Sequence, residues 1–261
     1  ATLRWNHLFT EKLFFNLSAI YNDYQFKAGF EQEEFNFDIF SGVRDFTAKF
    51  DFDYFPSNDH QVKTGIHATK HRLTPNIIRG SAGETEFENT ATAKYANEYA
   101  IYLQDDWKIN PWFRVNLGLR GTLFQQIGPY TSGINGEVYE TGEVVKTYSS
   151  LEPRIFINTS LNPNASLKAG VTATTQYLHL VSNSSSTLPA DVWVPSSEIV
   201  KPQRGWQYAA GYFQNIRRGM YEASVEAYYK SLQDQIDYRE SYVDNSVDQV
   251  ENEFVFGSGE A

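Results

Sequence analysis

Reactive chemistry has few places to reside in this sequence. Its 261 residues hold five histidines, His7, His60, His67, His71 and His179, and no cysteine. The lack of cysteine removes disulfide frameworks, thiolate zinc sites and thiol nucleophiles. His67 and His71 lie four residues apart. On a strand they share a face but stand about 13 Å apart at ~3.3 Å per residue, too far to grip one metal ion. Asp51 and Asp53 share a strand face in the same way, which is the ordinary layout of solvated carboxylates rather than of a glycosidase pair. No nucleophile elbow, phosphate-cradling loop or dinucleotide fingerprint occurs. The sequence therefore points to no catalytic residue, no metal and no cofactor, and to a binding protein rather than an enzyme.

Binding chemistry is better represented. The segment 179–203 contains His179, Asn183, Trp193 and Gln203. Tryptophan and histidine rings can stack on a sugar or on an aromatic ligand group. A Ser/Asn-rich stretch at 182–187 supplies adaptable polar groups, and Pro189, Pro195 and Pro202 stiffen the rest. The segment is too long for a simple connection in a compact domain. These four residues are the candidate ligand-binding set, and interfacial anchoring or packing within the loop is the competing reading of each.

The elements that position them are strands. From Arg44 to Tyr54 the even positions read Arg, Phe, Ala, Phe, Phe, Tyr, with Asp45, Thr47, Lys49, Asp51 and Asp53 between them. Phe113 to Leu123 alternates in the same way, as do Ala165 to Tyr177 and Tyr221 to Tyr229. Period-two alternation marks strands with one apolar and one polar face. About ten strands result, at 1–8, 13–26, 42–55, 60–72, 93–109, 113–126, 149–161, 165–178, 204–216 and 220–234. The acidic tail from Gln235 is harder to place. Phe254, Val255 and Phe256 could begin another strand, and Gly257 to Gly259 reads as a flexible end.

Short turns rich in Pro, Asn, Asp and Gly recur near 9–12, 56–59, 110–112, 162–164 and 217–219. Longer loops, near 27–41, 73–92, 127–148 and 179–203, alternate with them. Every short turn thus falls on one edge of the sheet and every long loop on the other. A sandwich has no reason to sort its loops, whereas an antiparallel up-and-down transmembrane β-barrel has short periplasmic turns and long extracellular loops. Aromatics bracket an apolar face where Tyr221 and Tyr229 flank Ala223, Val225 and Ala227, and the large apolar Phe113 and Leu123 bracket their strand in the same way. Such brackets match interfacial girdles. The opposite face carries Glu98, Gln104, Arg114, Arg120, Glu152, Arg154, Lys168, Gln176, Glu222 and Glu226. A small packed barrel could not bury these charges, so the polar face implies a wide lumen.

Composition agrees. The net charge of −10 excludes a nucleic-acid partner, because phosphate contacts need clustered cations. Aromatics make up 16% of the chain, which sets it apart from disordered sequences. No apolar run reaches the ~20 residues of a membrane helix. Ala1 to Phe9 lack the layout of a signal peptide.

Three stretches carry a family resemblance. The first is Tyr99-Ala-Ile-Tyr-Leu-Gln-Asp-Asp-Trp-Lys-Ile109, then Asn-Pro-Trp and Arg114-Val-Asn-Leu-Gly-Leu-Arg-Gly121. The second is Leu151-Glu-Pro-Arg154, followed by Asn-Pro-Asn-Ala-Ser-Leu-Lys168. The third runs from Gln176-Tyr-Leu-His-Leu-Val-Ser-Asn183 through Trp193-Val-Pro and Lys201-Pro-Gln203 to Tyr221-Glu-Ala-Ser-Val-Glu-Ala-Tyr-Tyr-Lys230. Over most of residues 90–235 they resemble the barrel of TonB-dependent outer-membrane receptors, and the earlier hairpins agree in pattern. The resemblance implies a barrel of about 22 strands with a plugged lumen. It implies residence in the cell outer membrane and import of a scarce nutrient such as a ferric siderophore, cobalamin or an oligosaccharide.

The implied partners are the lipid bilayer, the ligand, the receptor's own plug domain and the TonB energy-transducing complex. Glu98, Arg120, Glu152, Arg154 and Lys168 would form the lumen wall and face the plug. Residues 1–261 are expected to be one part of a single barrel domain without its plug, a middle-to-late piece of a longer receptor. Two other readings compete: a soluble or surface-attached all-β glycan-binding module, and an outer-membrane enzyme or structural barrel.

Overall fold

The computed structural model describes residues 1–32, 35–83, 85–88, 92–181, 192–217, 219–238 and 254–260. One antiparallel sheet dominates, and no helix occurs among the described residues. Its long strands are β1 (Thr2–Thr10), β2 (Leu13–Gln32), β3 (Phe35–Ser57) and β4 (His60–Ala82), which carries the short β5 (Thr85–Glu88) on its upper end. Next come β6 (Lys94–Asn110) and β7 (Phe113–Ile127), followed in the chain by the two-residue strands β8 (Tyr130–Thr131) and β9 (Val138–Tyr139). The sheet continues with β10 (Val144–Asn162) and β11 (Ala165–Gln176). The hairpin β12 (Leu178–Val181) and β13 (Val192–Pro195) leaves it, and β14 (Gln203–Ile216), β15 (Tyr221–Tyr238) and β16 (Phe254–Glu260) complete it. Each long strand pairs with the next long strand in the chain, the up-and-down order.

Register keeps the two faces separate across the sheet. One row of cross-strand partners reads Ser18, Lys49, His67, Ala100, Thr122 and Ser150. The adjacent row, on the other face, reads Leu17, Phe50, Ile66, Ile101, Gly121 and Leu151. A slip of one residue in any strand would exchange these faces, so the alternation itself specifies the register. The apolar row is the exposed one, and the polar face holds the buried Ser18, Thr122 and Glu152. That is the reverse of a water-soluble domain. It is what a barrel shows when lipid lies outside and polar contacts lie inside.

The expected sorting of turns holds, with tight connections at residues 11–12, 58–59, 111–112 and 163–164 on one edge. The long loops differ from expectation. Residues 27–32 and 35–41 extend the β2–β3 ladder, and 73–82 extend β4. The reason lies in an inversion of the alternation above Asp23. Lys27 and Asp38 form an outward ion pair of 3.1 Å, while Phe26, Phe30, Phe37 and Ile39 point inward. The strands therefore continue with their polarity reversed, as a barrel wall does where it rises out of the apolar layer. The segment 127–148 likewise contains the β8–β9 ladder and the first residues of β10. At the C-terminal end, Phe254 to Phe256 begin a strand as their pattern suggests. Gly257 to Gly259 belong to that same strand rather than to a flexible end, because they complete the ladder on β15.

Candidate functional site

Two features of the inner face stand out, a polar network and a hairpin folded over it. The network spans β3, β4, β6 and β7. Asp45 Oδ1 lies 2.8 Å from His71 Nδ1, and His71 Nε2 lies 3.9 Å from Glu98. Glu98 in turn lies 3.5 Å from the Arg120 guanidinium, whose Nη1 is 3.4 Å from His67 Nδ1. His67 Nε2 is 2.9 Å from Asp51 Oδ1, and the Tyr102 hydroxyl donates to that same oxygen at 2.8 Å. The two contacts of His67 assign its tautomer. A proton on Nε2 serves Asp51 and leaves the Nδ1 lone pair for the arginine.

Local folding explains the arrangement. Each residue lies on the inward parity of its strand, and register sets Lys49 beside His67, Asp45 beside His71 and Tyr102 beside Arg120. Asp53 meets Lys63 at 3.2 Å. The carboxylates of Asp51 and Asp53 are thus engaged by separate cationic or hydrogen-bonding partners, an arrangement for rigidity rather than acid–base chemistry. Among the described residues no group of His, Asp and Glu side chains has the geometry to hold a metal ion.

Of the five expected wall residues, the structure joins Glu98 to Arg120. Glu152 stands directly across from Arg120 and is buried, with its Oε1 accepting from Ser150 at 2.8 Å. Arg154 is opposite Gly118, and its side chain crosses the space that a Cβ there would occupy. Arg154 makes no ion pair among the described residues. Lys168 stands apart from this group. Its ammonium sits 4.4 Å above the ring of Phe213 on β14, a cation–π contact.

The β12–β13 hairpin turns into the concave side of the sheet and reaches β3, β4 and β6. Its anchor is aromatic: Tyr177 stacks on Phe124 with centroids 4.8 Å apart and planes 5° apart. Backbone and side chain then lock it. Tyr148 donates to the Ser197 carbonyl at 2.7 Å, Glu198 N donates to Gln126 at 3.1 Å, and Tyr130 donates to Glu198 at 3.0 Å. Leu73, Ala96, Phe124, Val194 and Val200 are fully buried in this region.

The burial corrects one expectation. His179 is 1% exposed, with Nε2 3.0 Å from Ser196 Oγ, so its ring is not offered to a ligand at the loop edge. Desolvation drives its pKa down to about 4, which keeps the ring neutral. Trp193 is half-buried on the same hairpin, opposite Leu180. Gln203 opens β14 opposite Gln176. Asn183, with the remainder of 182–191, lies outside the described residues. The key positions missed in the sequence are Phe124, Tyr148 and Tyr177. Phe124 carried a signal, since a large aromatic interrupts an otherwise polar series of Arg120, Thr122 and Gln126.

A family model described as TonB dependent receptor-like, beta-barrel matches residues 1–258. The chain belongs to this family. No curated protein sequence compared with it matches. Solved structures similar in fold include the copper transporter OprC, with a TM-score of 0.65 and 14% identity over 92% of this chain and 39% of that one. The ferric yersiniabactin uptake receptor FyuA from Yersinia pestis is similar at 0.59 and 11%, over 90% and 35%. The ferric-catecholate import receptor Fiu from Escherichia coli K12 is similar at 0.55 and 12%, over 99% and 42%. The chain therefore spans well under half the length of these receptors. The network and hairpin described above lie on the polar face of this barrel-family sheet, and the exposed apolar row lies on the other.

Proposed function

We propose that residues 1–261 form part of the barrel domain of an outer-membrane receptor that binds and imports a scarce nutrient. The nutrient class is a ferric siderophore, cobalamin or an oligosaccharide. In this reading a plug domain of the same receptor occupies the lumen and touches the wall at Glu98, Arg120, Glu152, Arg154 and Lys168. Transport is driven through that plug by the TonB complex, and no catalysis is required of the chain. The observation that carries the reading is the inverted sheet, apolar outside and ion-networked inside, with a hairpin narrowing the lumen at the long-loop edge. Arg154 supports the plug contact, because an inward guanidinium that has no ion-pair partner among the described residues can donate to a carboxylate from the lumen. The iron and copper transporters of similar fold favour a metal-bearing nutrient within this class.

Trp193 and Gln203, on the inward hairpin and at its exit, are the wall's ligand contacts in this reading, with Asn183 on the same connection. The test is uptake by a strain lacking the receptor, supplied in turn with ferric siderophores, cobalamin and oligosaccharides. The intact receptor should restore TonB-dependent growth on one of them, and Trp193→Ala should weaken binding of that nutrient without changing membrane insertion. Restoration of growth on none, with the receptor correctly inserted, would leave the transport reading without support.

A further inference from the structure

On the outer face, just above the apolar band, we infer a binding site for the phosphate of an anionic lipid headgroup, formed by Arg72 and Lys70 with Arg44 beside them. The inference rests on which face meets lipid, and not on the transport reading.

The outer face can be measured against the bilayer. Trp107 and Tyr99 lie eight residues apart on β6 and both point outward. Eight residues at ~3.3 Å and a tilt of ~40° give about 20 Å, close to the apolar height of an outer-membrane barrel. Between them lie Ile101 and Leu103, with Ile66 and Phe50 level with Ile101 on β4 and β3. Lys70 stands opposite Asn97, one step above the Tyr99 level, and Arg72 stands opposite Tyr95, one step higher. Both therefore lie at the headgroup level on the long-loop side.

The charges at this level are unbalanced. Arg44 and Arg72 are direct cross-strand partners, an arrangement that repels unless an anion intervenes. The outward carboxylate at the site is Asp23, held by Arg44 at 3.0 Å and also hydrogen-bonded to Tyr21 and Gln25. Lys70 and Arg72 are exposed and make no ion pair among the described residues. Among the described residues, three cations facing one carboxylate leave a local charge of +2 in a chain whose net charge is −10. Higher on the same strands the outward cations are paired, Lys27 with Asp38 and Arg79 with Glu88. Cations are thus left uncompensated on these strands at the height where lipid phosphates lie. Same-face residues two apart on a strand stand about 7 Å from each other, so Lys70 and Arg72 can grip one phosphate between them.

The experiment is native mass spectrometry of the full receptor carrying this chain, purified in detergent and offered diphosphorylated lipid A, the same lipid without its phosphates, or inorganic phosphate. The intact protein should retain the diphosphorylated lipid and release the dephosphorylated one, with no displacement by free phosphate. Removing both free cations in K70Q/R72Q should weaken retention about 30-fold, and R72Q alone about 5-fold. K27Q removes a lysine that is already paired and should leave retention unchanged. Equal retention by K70Q/R72Q, equal binding of the dephosphorylated lipid, displacement by inorganic phosphate, or an equal loss in K27Q would each overturn the assignment. Heat-modifiable gel migration verifies that each variant is folded. If the double variant fails that control, R72Q decides.

Discussion

Leu151 and Glu152 are neighbours on β10, yet the leucine is 65% exposed and the glutamate 7%. The same inversion runs across the sheet, with Ile66 and Ile101 outward and exposed beside a wall of paired His, Asp, Glu and Arg. The outer face depends on lipid to cover it. The inner face depends on its own side chains, because a charge withdrawn from water there must find a partner. A single strand thus satisfies two solvents, and what each substitution costs should depend on its parity more than on its chemistry.

The largest effect should come from the most deeply buried inward residue. Phe124→Ala removes the ring that Tyr177 stacks on and should destabilise the packed hairpin by about 3–5 kcal/mol. Hydrogen exchange at residues 192–200 should rise sharply, and unchanged protection would mean that the hairpin is held by something other than this stack. On the outer face, Val225→Arg and Leu119→Arg should each cost about 2–4 kcal/mol near the midplane. The inward Gln104→Arg should stay within about 0.5 kcal/mol. Urea unfolding of the receptor in lipid vesicles measures all three, and equal costs on both faces would break the comparison.

Acid should loosen the hairpin through His179. Its folded pKa of about 4 lies below the ordinary 6.5, so burial favours the neutral ring. The stability it permits is complete above pH 6.5 and declines as pH falls toward 4, because the unfolded segment takes up the proton first. At pH 5 the loss is about 2 kcal/mol. Protease cleavage of the hairpin followed against pH should show this decline in the native protein, and His179→Gln should remove the pH dependence. The smallest effect belongs to the wall network. Glu98→Gln weakens the contact to Arg120 but leaves a hydrogen-bonding group in place, and should cost roughly 1 kcal/mol. A loss several times larger in the same urea measurement would show that the network works as one cooperative unit.

Much of this organisation was legible beforehand. Alternation from Arg44 to Tyr54 and from Phe113 to Leu123 identified both strands and faces, because a half-buried strand must repeat every two residues. Glu98 and Arg120 could be placed on one face by parity alone. Their meeting, and the inclusion of His67, His71, Asp45 and Asp51 in one network, required the register between strands far apart in the chain. The misread loops have a related cause. At 27–41 the alternation continues with its polarity reversed, and a pattern that changes sign looks like a break when it marks the boundary between lipid and water.

The period of two, the sorted turns, the aromatic brackets and the motifs of β6, β7 and β10 were properties of the sequence alone. They determined strands, faces and family, because each depends on residues close together in the chain. The fate of segment 177–203 was a tertiary decision. Its Trp, His and proline content suited an exposed ligand loop equally well. Packing of Tyr177 on Phe124, about fifty residues away, and the bonds from Gln126 and Tyr148 drew residues 177–181 and 192–200 inward and buried His179. Those contacts join strands that become neighbours only after the sheet has curved, so no local pattern could announce them.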